Sequence, residues 1–556
     1  MKARTKAVLI LAAVLLGVCS STEGRAGTPR PNILLIIGDD IGIDVTSDMY
    51  PGLIDTLVNQ YGPSGHNHPN YQMIKGRPAS TPTLNSLAKA GMRFTQAWMN
   101  PFCSPTRTSI LTGLYAAKTQ VLDYTNWLSQ NHHSFVRDLK DKGGYSTAVF
   151  GKWHMAGLGK YPGMKPKEAG FDLYLGNLNG GIETYWDWDY HIQDSSSAPG
   201  EYRTEKQPVR SLPGVAPTTY APVVNAADAV QWITGQKAKN PDKPWFVWLA
   251  FNLSHITGKQ EPNPMIVPNI DTMDKVSIEE MKACGGTFGS AIVGKCSSEA
   301  LMRAMTNSMD TIIGKVLSVV DKLDPNTYVI YLGDNGTWMF GPRREFIDNM
   351  YITRRGRSKG TAYESGARVS MAIRGPRIKA GSQCDEPIHG VDLFSTILEL
   401  AGLEVPKTVP NRTGDGTVAV DSVSLTPILF QNAKGLRDPN LGYLLTETIN
   451  PVMDNQRQAG ARNLKYKLIC TEKTDTASCT FYNLVDDPLE EYPLAKPVSC
   501  AGYRNGTWST SAPEWHFCRL QEVLGTESFL ASPKKTNAQA RARWRPSFFS
   551  IADLED

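Results

Sequence analysis

Acidic and amide side chains directly follow two apolar segments that lie far apart in the chain. Asp39 and Asp40 follow the segment NILLII, and Asp334 and Asn335 follow the segment TYVIYLG. If both segments are strands of one parallel sheet, their carboxyl ends meet at the same edge. Three carboxylates and one amide oxygen form a hard-oxygen ligand set that suits Ca²⁺, or Mg²⁺ in a tighter cage. Because each pair alone is more typical of a turn or a helix cap, the metal prediction depends on their combination.

A cysteine in the segment PFCSPTRTSILTG is the candidate nucleophile. Proline is favoured in the first helical turn, so the segment predicts a helix that starts near Ser104–Pro105. Cys103 would then lie beside a helix N-terminus, where free N–H groups and the helix dipole favour an anion. Arg107 follows one turn later on the same face. A lone cysteine without such surroundings is more commonly an ordinary half-buried residue.

Two lysines and two histidines complete the set of candidate catalytic residues. In the element Gly-Lys-Trp-His, alternation along an extended chain places Lys152 and His154 on one side. His255 follows the apolar segment WFVWLAFNLS, and Lys359 begins the segment KGTAYESGARV. Taken singly, such a histidine is usually a core or capping group and such a lysine is usually solvated. Their assignment therefore depends on the whole pattern.

The elements that must position these residues alternate between two periodicities. Apolar runs typical of buried strands occupy 32–37, 145–151, 244–253 and 327–333. Helical patterns occupy 81–91 and 301–323. This alternation predicts an α/β fold in which a mostly parallel sheet is flanked by helices. Polar segments rich in Pro, Gly and Ser are predicted loops over the sheet edge: 44–80, 190–222 and 257–300.

The pattern changes after about residue 425. Short strand signals at 443–449, 465–470 and 480–485 predict an antiparallel sheet in a smaller C-terminal α+β subdomain. We therefore divide the chain into a signal peptide, a catalytic domain and a C-terminal subdomain, at 1–26, 30–435 and 436–556.

The N-terminus predicts export to a secreted or periplasmic location. Basic residues precede an uninterrupted apolar run over 7–18, which is typical of a secretory signal and too short to span a bilayer. Cys19 could be a lipoprotein anchor, but Val18 before it fits that modification poorly. No other stretch reaches the length of a transmembrane segment. A formal net charge of only +4 gives no support to nucleic-acid binding.

The cysteines fit an oxidising compartment. Of nine cysteines, six lie in pairs that are close in sequence and could form disulfides: Cys284 with Cys296, Cys470 with Cys479, and Cys500 with Cys518. Cys384 is left over. Proximity suggests this pairing, although spacing alone does not fix connectivity.

The segment Cys103-Ser104-Pro105-Thr106-Arg107, followed by Thr-Ser-Ile-Leu-Thr-Gly, resembles a known family signature. It is similar to the C-x-P-x-R motif of the type I, formylglycine-dependent sulfatases, an arylsulfatase-like family of the alkaline phosphatase superfamily. The Gly-Lys-Trp-His element and the K-G-x-x-x-E-x-G element match further motifs in family order. The resemblance covers roughly residues 30–500 and implies the alkaline-phosphatase-like fold.

The resemblance also implies the chemistry. In that family a separate formylglycine-generating or anaerobic sulfatase-maturing enzyme converts the cysteine to formylglycine, and one Ca²⁺ is bound. The implied metal ligands are Asp39, Asp40, Cys103 in its modified form, Asp334 and Asn335. The implied catalytic residues are Cys103, Arg107, Lys152, His154, His255 and Lys359.

Each implied role has a physical rationale. Ca²⁺ and the cationic side chains would stabilise charge on the sulfuryl oxygens. His154 would act as base on the formylglycine hydrate, and His255 with Lys359 would protonate the leaving oxygen. One departure from the family pattern concerns Asp44, which falls one place earlier than the usual aspartate.

The implied substrate is a sulfated small molecule or glycan, either a sulfated carbohydrate or an aryl sulfate. Two alternatives remain open at this point. One is a phosphonate or phosphate monoester hydrolase of the same superfamily, and the other is an inactive protein that binds sulfated glycans. The aromatic residues Tyr185, Trp186, Trp188 and Tyr190 could stack on sugar rings or pack as core. Basic residues within 343–360 could bind an anionic polymer or be simply solvated.

Overall fold

A computed structural model describes residues 29–258, 264–338, 350–352 and 356–531. The predicted signal peptide and Cys19 lie outside the described residues, as does most of the basic segment within 343–360.

The strands of the described chain are, in order, β1 (Asn32–Gly38), β2 (Met92–Trp98), β3 (Ser146–Lys152), β4 (Leu173–Asn177), β5 (Asp189–Gln193), β6 (Arg203–Lys206), β7 (Arg210–Leu212), β8 (Val215–Thr218), β9 (Trp245–Ala250), β10 (Thr327–Gly333), β11 (Arg368–Arg374), β12 (Ser382–Cys384), β13 (Ile388–His389), β14 (Thr408–Pro410), β15 (Thr417–Ala419), β16 (Leu444–Asn450), β17 (Gln456–Arg462), β18 (Tyr466–Thr471) and β19 (Cys479–Asn483).

The α-helices of the described chain are α1 (Leu53–Tyr61), α2 (Pro82–Ala90), α3 (Cys103–Thr112), α4 (Ala116–Thr119), α5 (Phe135–Asp141), α6 (Ala221–Lys239), α7 (Lys275–Ala283), α8 (Ser298–Leu323), α9 (Glu364–Ala367), α10 (Leu393–Leu400), α11 (Thr426–Gln431), α12 (Ala501–Arg504) and α13 (Pro513–Thr526).

A large mixed sheet forms the centre of the molecule. Its strand order is β12-β2-β11-β10-β1-β9-β3-β4-β5-β6, and β13 also pairs with β2. The five central strands, β10 to β4, run parallel to one another. On one side β11 is antiparallel to β10 and β2 is antiparallel to β11, whereas on the other side β5 is antiparallel to β4. The predicted mostly parallel sheet is confirmed, with antiparallel strands on both flanks.

Helices cover both faces of this sheet because its central strands are apolar on both faces. All seven residues of β1 are buried. Leu34 and Ile36 face a core formed with α2, α6 and α8, whereas Ile33, Leu35 and Ile37 face a second core formed with α3, α5 and α10. Double-sided burial of this kind explains why the strand reads as an uninterrupted apolar run.

The topology brings distant segments to one edge of the sheet. β1, β3, β9 and β10 are parallel, so their carboxyl ends lie together. β2 is antiparallel to β11, which is itself antiparallel to β10, so β2 also ends at this edge. For the same reason β11 begins at this edge, and the segment that precedes β11 lies there. The sequence pattern indicated the parallel strands but not the direction of β11.

A separate antiparallel sheet follows near the C-terminus, in the order β16-β17-β18-β19. It confirms the predicted antiparallel sheet of the C-terminal subdomain, whereas the proposed boundary at residue 435 stays a prediction. α13 packs on one face of this sheet through Phe517 and Leu520, which lie in one cluster with Leu445 and Leu468.

Three predicted loop segments contain regular structure. The segment 44–80 includes α1, the segment 190–222 includes β6 to β8, and the segment 257–300 includes α7. Short elements with few apolar residues produced no clear periodicity there. The three predicted disulfides are present, and Cys384 is a buried free thiol.

The aromatic segment 185–190 is packed rather than exposed. Tyr185, Trp188 and Tyr190 are buried, and Trp186 stacks on Tyr220 with ring centroids 5.2 Å apart. These rings therefore belong to the core beside α6, and the core interpretation of this segment replaces the sugar-stacking one.

Candidate active site

The edge described above brings all of the predicted site residues into one network, which is buried except for the partly exposed His255. Asp39 and Asp40 follow β1, Asp334 and Asn335 follow β10, and Lys152 is the last residue of β3. The remaining members are Cys103 and Arg107 on α3, His154 after β3, His255 after β9, and Lys359 before β11. Their proposed roles remain predictions, but their proximity is a structural fact.

Three oxygens of this network are buried without a hydrogen-bond partner among the described residues: Asp39 Oδ1, Asp40 Oδ2 and Asn335 Oδ1. Their companion atoms are all engaged. Asp39 Oδ2 accepts from Lys152 Nζ at 2.5 Å, and Asn335 Nδ2 donates to Asp40 Oδ1 at 2.8 Å. Buried oxygens are rarely left unpaired, so these three atoms fit the coordination shell of a hard cation.

Asp334 completes the oxygen cluster and is fixed by Arg107. The guanidinium donates to Asp334 Oδ2 from Nε at 3.0 Å and from Nη2 at 2.8 Å. One oxygen of Asp39, one of Asp334 and the sulfur of Cys103 lie within 4.8 Å of one another, close enough to share one ion. The nucleophile and the cation would therefore be neighbours.

The electrostatics of the cluster favour an added positive charge. Burial raises the pKa of Asp39 to about 8, even with Lys152 beside it. Burial alone would also raise the pKa of Asp40, but Lys359 lowers it to about 2. When burial holds a carboxyl protonated at neutral pH, the nearby positive charge is too weak to stabilise the carboxylate. A bound divalent ion would supply the missing positive charge. The donor set therefore fits Ca²⁺.

Cys103 is the first residue of α3, one position earlier than the sequence pattern suggested. Every residue of this helix is buried, so Cys103 lies at an N-terminus that is shielded from water. Burial raises the pKa of the Cys103 thiol. The thiol is therefore neutral at physiological pH and a weak nucleophile as it stands.

His154 faces Cys103 with the nitrogen that can accept a proton. Its Nε2 lies 2.9 Å from the carbonyl oxygen of Tyr124, and a carbonyl oxygen only accepts, so Nε2 carries the hydrogen. Nδ1 lies 3.0 Å from Cys103 Sγ and presents its lone pair to that position. Burial, together with Lys152 and Arg107, lowers the pKa of His154 well below its ordinary value. The ring is therefore neutral and able to act as a base.

His255 lies on the open side of the network. Its side chain is 21% exposed, whereas the side chains of Lys152 and Lys359 are 0% and 3% exposed. Its Nδ1 donates to the carbonyl oxygen of Ile256 at 2.7 Å, which leaves Nε2 toward Asp40 Oδ2 at 4.0 Å. Burial and Lys359 lower the pKa of His255 to about 3. A substrate that enters from solvent would meet this ring.

Lys359 forms an ion pair with Asp40 Oδ1 and lies 5.4 Å from the ring centroid of Trp338. With Lys152 and Arg107 it gives the network three cationic side chains around Cys103. Such a concentration of buried positive charge is suited to an anionic group.

Several residues that shape the site had no signal in the sequence analysis. The carbonyl of Tyr124 sets the tautomer of His154, and a backbone carbonyl leaves no trace in the residue type. Gly180 lies against the same ring, since a Cβ at this position would be 2.3 Å from His154 Cε1. Asp44, in contrast, was noted from the sequence as a departure from the family pattern; it accepts from Thr337 Oγ1 at 2.7 Å and so holds the loop after Asp334, rather than joining the oxygen cluster.

Two residues of the network adopt the left-handed backbone conformation without being glycine. Asp40 has φ of 59° and His154 has φ of 56°. Few non-glycine residues adopt this conformation. Those that do concentrate at functional sites, where the surrounding structure holds them in place.

The fold and the site together define a class of protein: an α/β enzyme scaffold whose sheet edge combines buried carboxylates with buried cationic side chains. A family model described as Sulfatase matches residues 31–403. The chain therefore belongs to the sulfatase family of sulfuric ester hydrolases.

Relatives agree with this assignment over most of their length. The chain is 26% identical to N-acetylgalactosamine-6-sulfatase of Canis lupus familiaris, with 87% of this chain and 85% of the relative covered. It is 24% identical to a sulfatase of Formosa agariphila, with 90% and 88% covered.

Solved structures agree on the fold. One is a protein in complex with its substrate D-glucosamine-2-N,6-O-disulfate, with a TM-score of 0.59, 19% identity, and 91% of this chain and 100% of that chain covered. Another is Ps i-CgsB in complex with k-i-k-neocarrahexaose, with a TM-score of 0.60, 19% identity, and 92% and 96% covered.

Proposed function

We propose that this protein hydrolyses sulfate esters of carbohydrates through a formylglycine made from Cys103, with one Ca²⁺ bound beside it. The observation that most directly supports this proposal is the contact at 3.0 Å between Cys103 Sγ and His154 Nδ1, the accepting nitrogen of the ring. Three cationic side chains surround this contact. A buried neutral thiol is poorly suited to attack, whereas a hydroxyl in its place would have a base in contact with it.

The proposed ion is held by Asp39, Asp40, Asp334 and Asn335, together with the modified side chain at position 103. Bound Ca²⁺ would supply Lewis-acid stabilisation of charge on the sulfuryl oxygens. The three unpartnered oxygens support this assignment, since a hard cation would satisfy all of them.

The residues of this chain have complementary tasks in the proposed reaction. A hydrated formylglycine would supply one hydroxyl that attacks sulfur as the S–O bond to the alcohol breaks. Loss of the proton from its second hydroxyl would then break the C–O bond to sulfate and restore the aldehyde. His154 Nδ1 accepts a proton from the hydrated side chain. Arg107, Lys152 and Lys359 orient the sulfuryl group and stabilise its negative charge.

His255, assisted by Lys359, is proposed to protonate the leaving oxygen. Its position on the open side of the site supports this role, because the alcohol part of a substrate must extend toward solvent. The negative charge of a bound sulfate ester favours the protonated imidazole.

A test of this role compares two aryl sulfates that differ in leaving-group pKa. His255→Gln should slow the ester with the poorer leaving group by a larger factor, because that alcohol needs a proton to depart. Equal losses on both esters would remove His255 as the acid.

Two similar proteins support a sulfated sugar as the substrate. The Canis lupus familiaris relative is named an N-acetylgalactosamine-6-sulfatase, and one structural neighbour was solved in complex with D-glucosamine-2-N,6-O-disulfate. We also propose export by the N-terminal signal and maturation by a formylglycine-generating or anaerobic sulfatase-maturing enzyme. None of the helices in the described part of the chain has the length and hydropathy needed to cross a membrane.

The experiment that separates the alternatives is a matched assay on sulfate and phosphate monoesters of the same alcohol, with chelator-treated and calcium-loaded protein. We expect turnover of the sulfate ester, dependent on Cys103 and lost in Cys103→Ala. Preferential turnover of the phosphate ester would instead identify a phosphatase of the same fold. Calcium-dependent binding of a sulfated glycan without turnover of either ester would identify a binding protein.

A further inference from the structure

The C-terminal sheet presents a polar face to the segments that carry the proposed catalytic residues. Alternate residues of β16 point to opposite faces, and Leu445 and Ile449 pack toward α13. Thr446, Thr448 and Asn450 are buried on the other face. Buried polar residues on a strand normally have a specific partner.

Three side chains of this face bind backbone groups of the catalytic domain. Asn450 Nδ2 donates to the carbonyl oxygen of Gly360 at 2.9 Å, and Gln458 Oε1 on β17 accepts from the N–H of Ala362 at 2.6 Å. Thr446 Oγ1 donates to the carbonyl oxygen of Met99 at 2.9 Å. These targets belong to two segments, one that leads into Cys103 and one that follows Lys359.

Gly360 joins the two segments directly. Its N–H donates to the carbonyl oxygen of Pro101 at 2.8 Å, while its own carbonyl is held by Asn450. Its φ of +87° favours glycine, and a Cβ would lie 2.5 Å from Asn450 Nδ2 and 2.8 Å from Phe102 Cζ. The residue next to Lys359 is thus fixed between the turn before Cys103 and the C-terminal sheet.

We propose that Asn450, supported by Thr446 and Gln458, is a positioning residue that sets the placement of Lys359 relative to position 103. The inference rests on the proposed function, because it assigns Lys359 to the reacting sulfuryl group. Asn450 itself does not touch substrate in this account. Its effect passes through the Gly360 carbonyl to the backbone that carries Lys359.

A double-mutant cycle tests this role. Asn450→Ala in the otherwise unchanged protein should lower kcat on an aryl sulfate by roughly ten- to hundredfold, as expected for a misplaced charged group. In the Lys359→Ala background the same substitution should change kcat by less than about threefold, because the group it positions is already absent. KM should change less than kcat.

Thr448→Val is the matched control. Thr448 is buried on the same face of β16, and its Oγ1 has no hydrogen-bond partner among the described residues. The substitution keeps the side-chain shape and should leave kcat near that of the parent. A loss in Thr448→Val equal to that in Asn450→Ala, or equal losses from Asn450→Ala in both backgrounds, would overturn the positioning role.

Hydrogen exchange provides a readout that does not need activity. In Asn450→Ala the amide hydrogens of residues 359–362 should exchange faster than in the parent, whereas Thr448→Val should leave them unchanged. Unchanged exchange in Asn450→Ala would overturn the proposal whatever the activity. If the parent hydrolyses no sulfate ester although its formylglycine is verified, the proposed function fails, and the exchange result still decides whether Asn450 holds this segment.

Discussion

Three oxygens at the sheet edge are free of hydrogen-bond partners in the described chain and can coordinate a cation. Asp39 Oδ1, Asp40 Oδ2 and Asn335 Oδ1 are all buried and unpartnered within the described chain. An unsatisfied buried polar atom costs about 1–3 kcal/mol. A cation that coordinates these oxygens should therefore stabilise the whole protein.

Calcium should accordingly raise the melting temperature. At a free calcium concentration one hundred times its Kd, the expected stabilisation is about 2.7 kcal/mol. Asp40→Asn should abolish most of this response, whereas Asp44→Asn should keep it, because Asp44 is bonded to Thr337 instead. Differential scanning calorimetry with and without calcium measures both variants. The same calcium response in Asp40→Asn as in the parent would exclude Asp40 as a ligand.

The ring of His154 is held by contacts on both sides, so its position is sensitive to added volume. Gly180→Ala should place a methyl group where the ring now lies, since the nearest ring atoms are 2.3 Å from the added carbon. We expect kcat/KM to fall roughly a hundredfold through displacement of the base.

Gly181→Ala is the control for this substitution. A Cβ at Gly181 would be 3.8 Å from the nearest atom of His255, which is ordinary contact. Steady-state kinetics on one aryl sulfate should therefore show activity near that of the parent for Gly181→Ala. Similar activities for both variants would mean that the placement of His154 does not limit the rate.

At the scale of elements, a buried ion-pair network links the C-terminal sheet to the short helix α9 before β11. Lys467 on β18 contacts Glu364 at 3.0 Å and Glu490 at 2.6 Å, and its side chain is fully buried. Although burial would raise the pKa of Glu364, Lys467 and Arg462 lower it overall. Burial raises the pKa of Glu490 to about 7 despite Lys467. One lysine thus stabilises two buried carboxyls from different segments.

Lys467→Met should destabilise the protein by about 3–5 kcal/mol, because Glu490 would lose its cation while buried and Glu364 would keep only Arg462, at 3.9 Å. The midpoint of guanidinium-induced unfolding measures the change. Lys465→Met, two residues earlier and exposed, should shift the midpoint far less. Equal shifts for the two variants would show that the network contributes nothing beyond an ordinary surface lysine.

The elements also show where sequence reasoning succeeded and failed. The apolar runs of β1, β3, β9 and β10 were recognisable because these strands are buried on both faces. The segment QRQAGAR of β17 was missed, since its buried positions hold only small and polar residues. The direction of β11 is set by pairing with β10, and no local pattern carries that information.

At the scale of the whole molecule, ten residues from six distant segments meet because a mixed sheet brings its strand ends to one edge. The sequence supplied the residue types and their order, and the family resemblance supplied their grouping. Neither the sequence nor the resemblance predicted the contacts that position these residues. Examples are the Tyr124 carbonyl against His154 and the Asn450 amide against Gly360. Those contacts depend on non-local backbone geometry, which residue types alone do not determine.

The central claim is that Cys103 acts as formylglycine, and the mass of the peptide containing it tests this most directly. Protein that hydrolyses a sulfate ester should be digested and the peptide mass compared with that expected for cysteine. We predict a mass lower by about 18 Da, the change that conversion of cysteine to formylglycine requires. An unmodified Cys103 in the peptide, from a preparation in which all of the protein molecules are active sulfatase, would contradict the account.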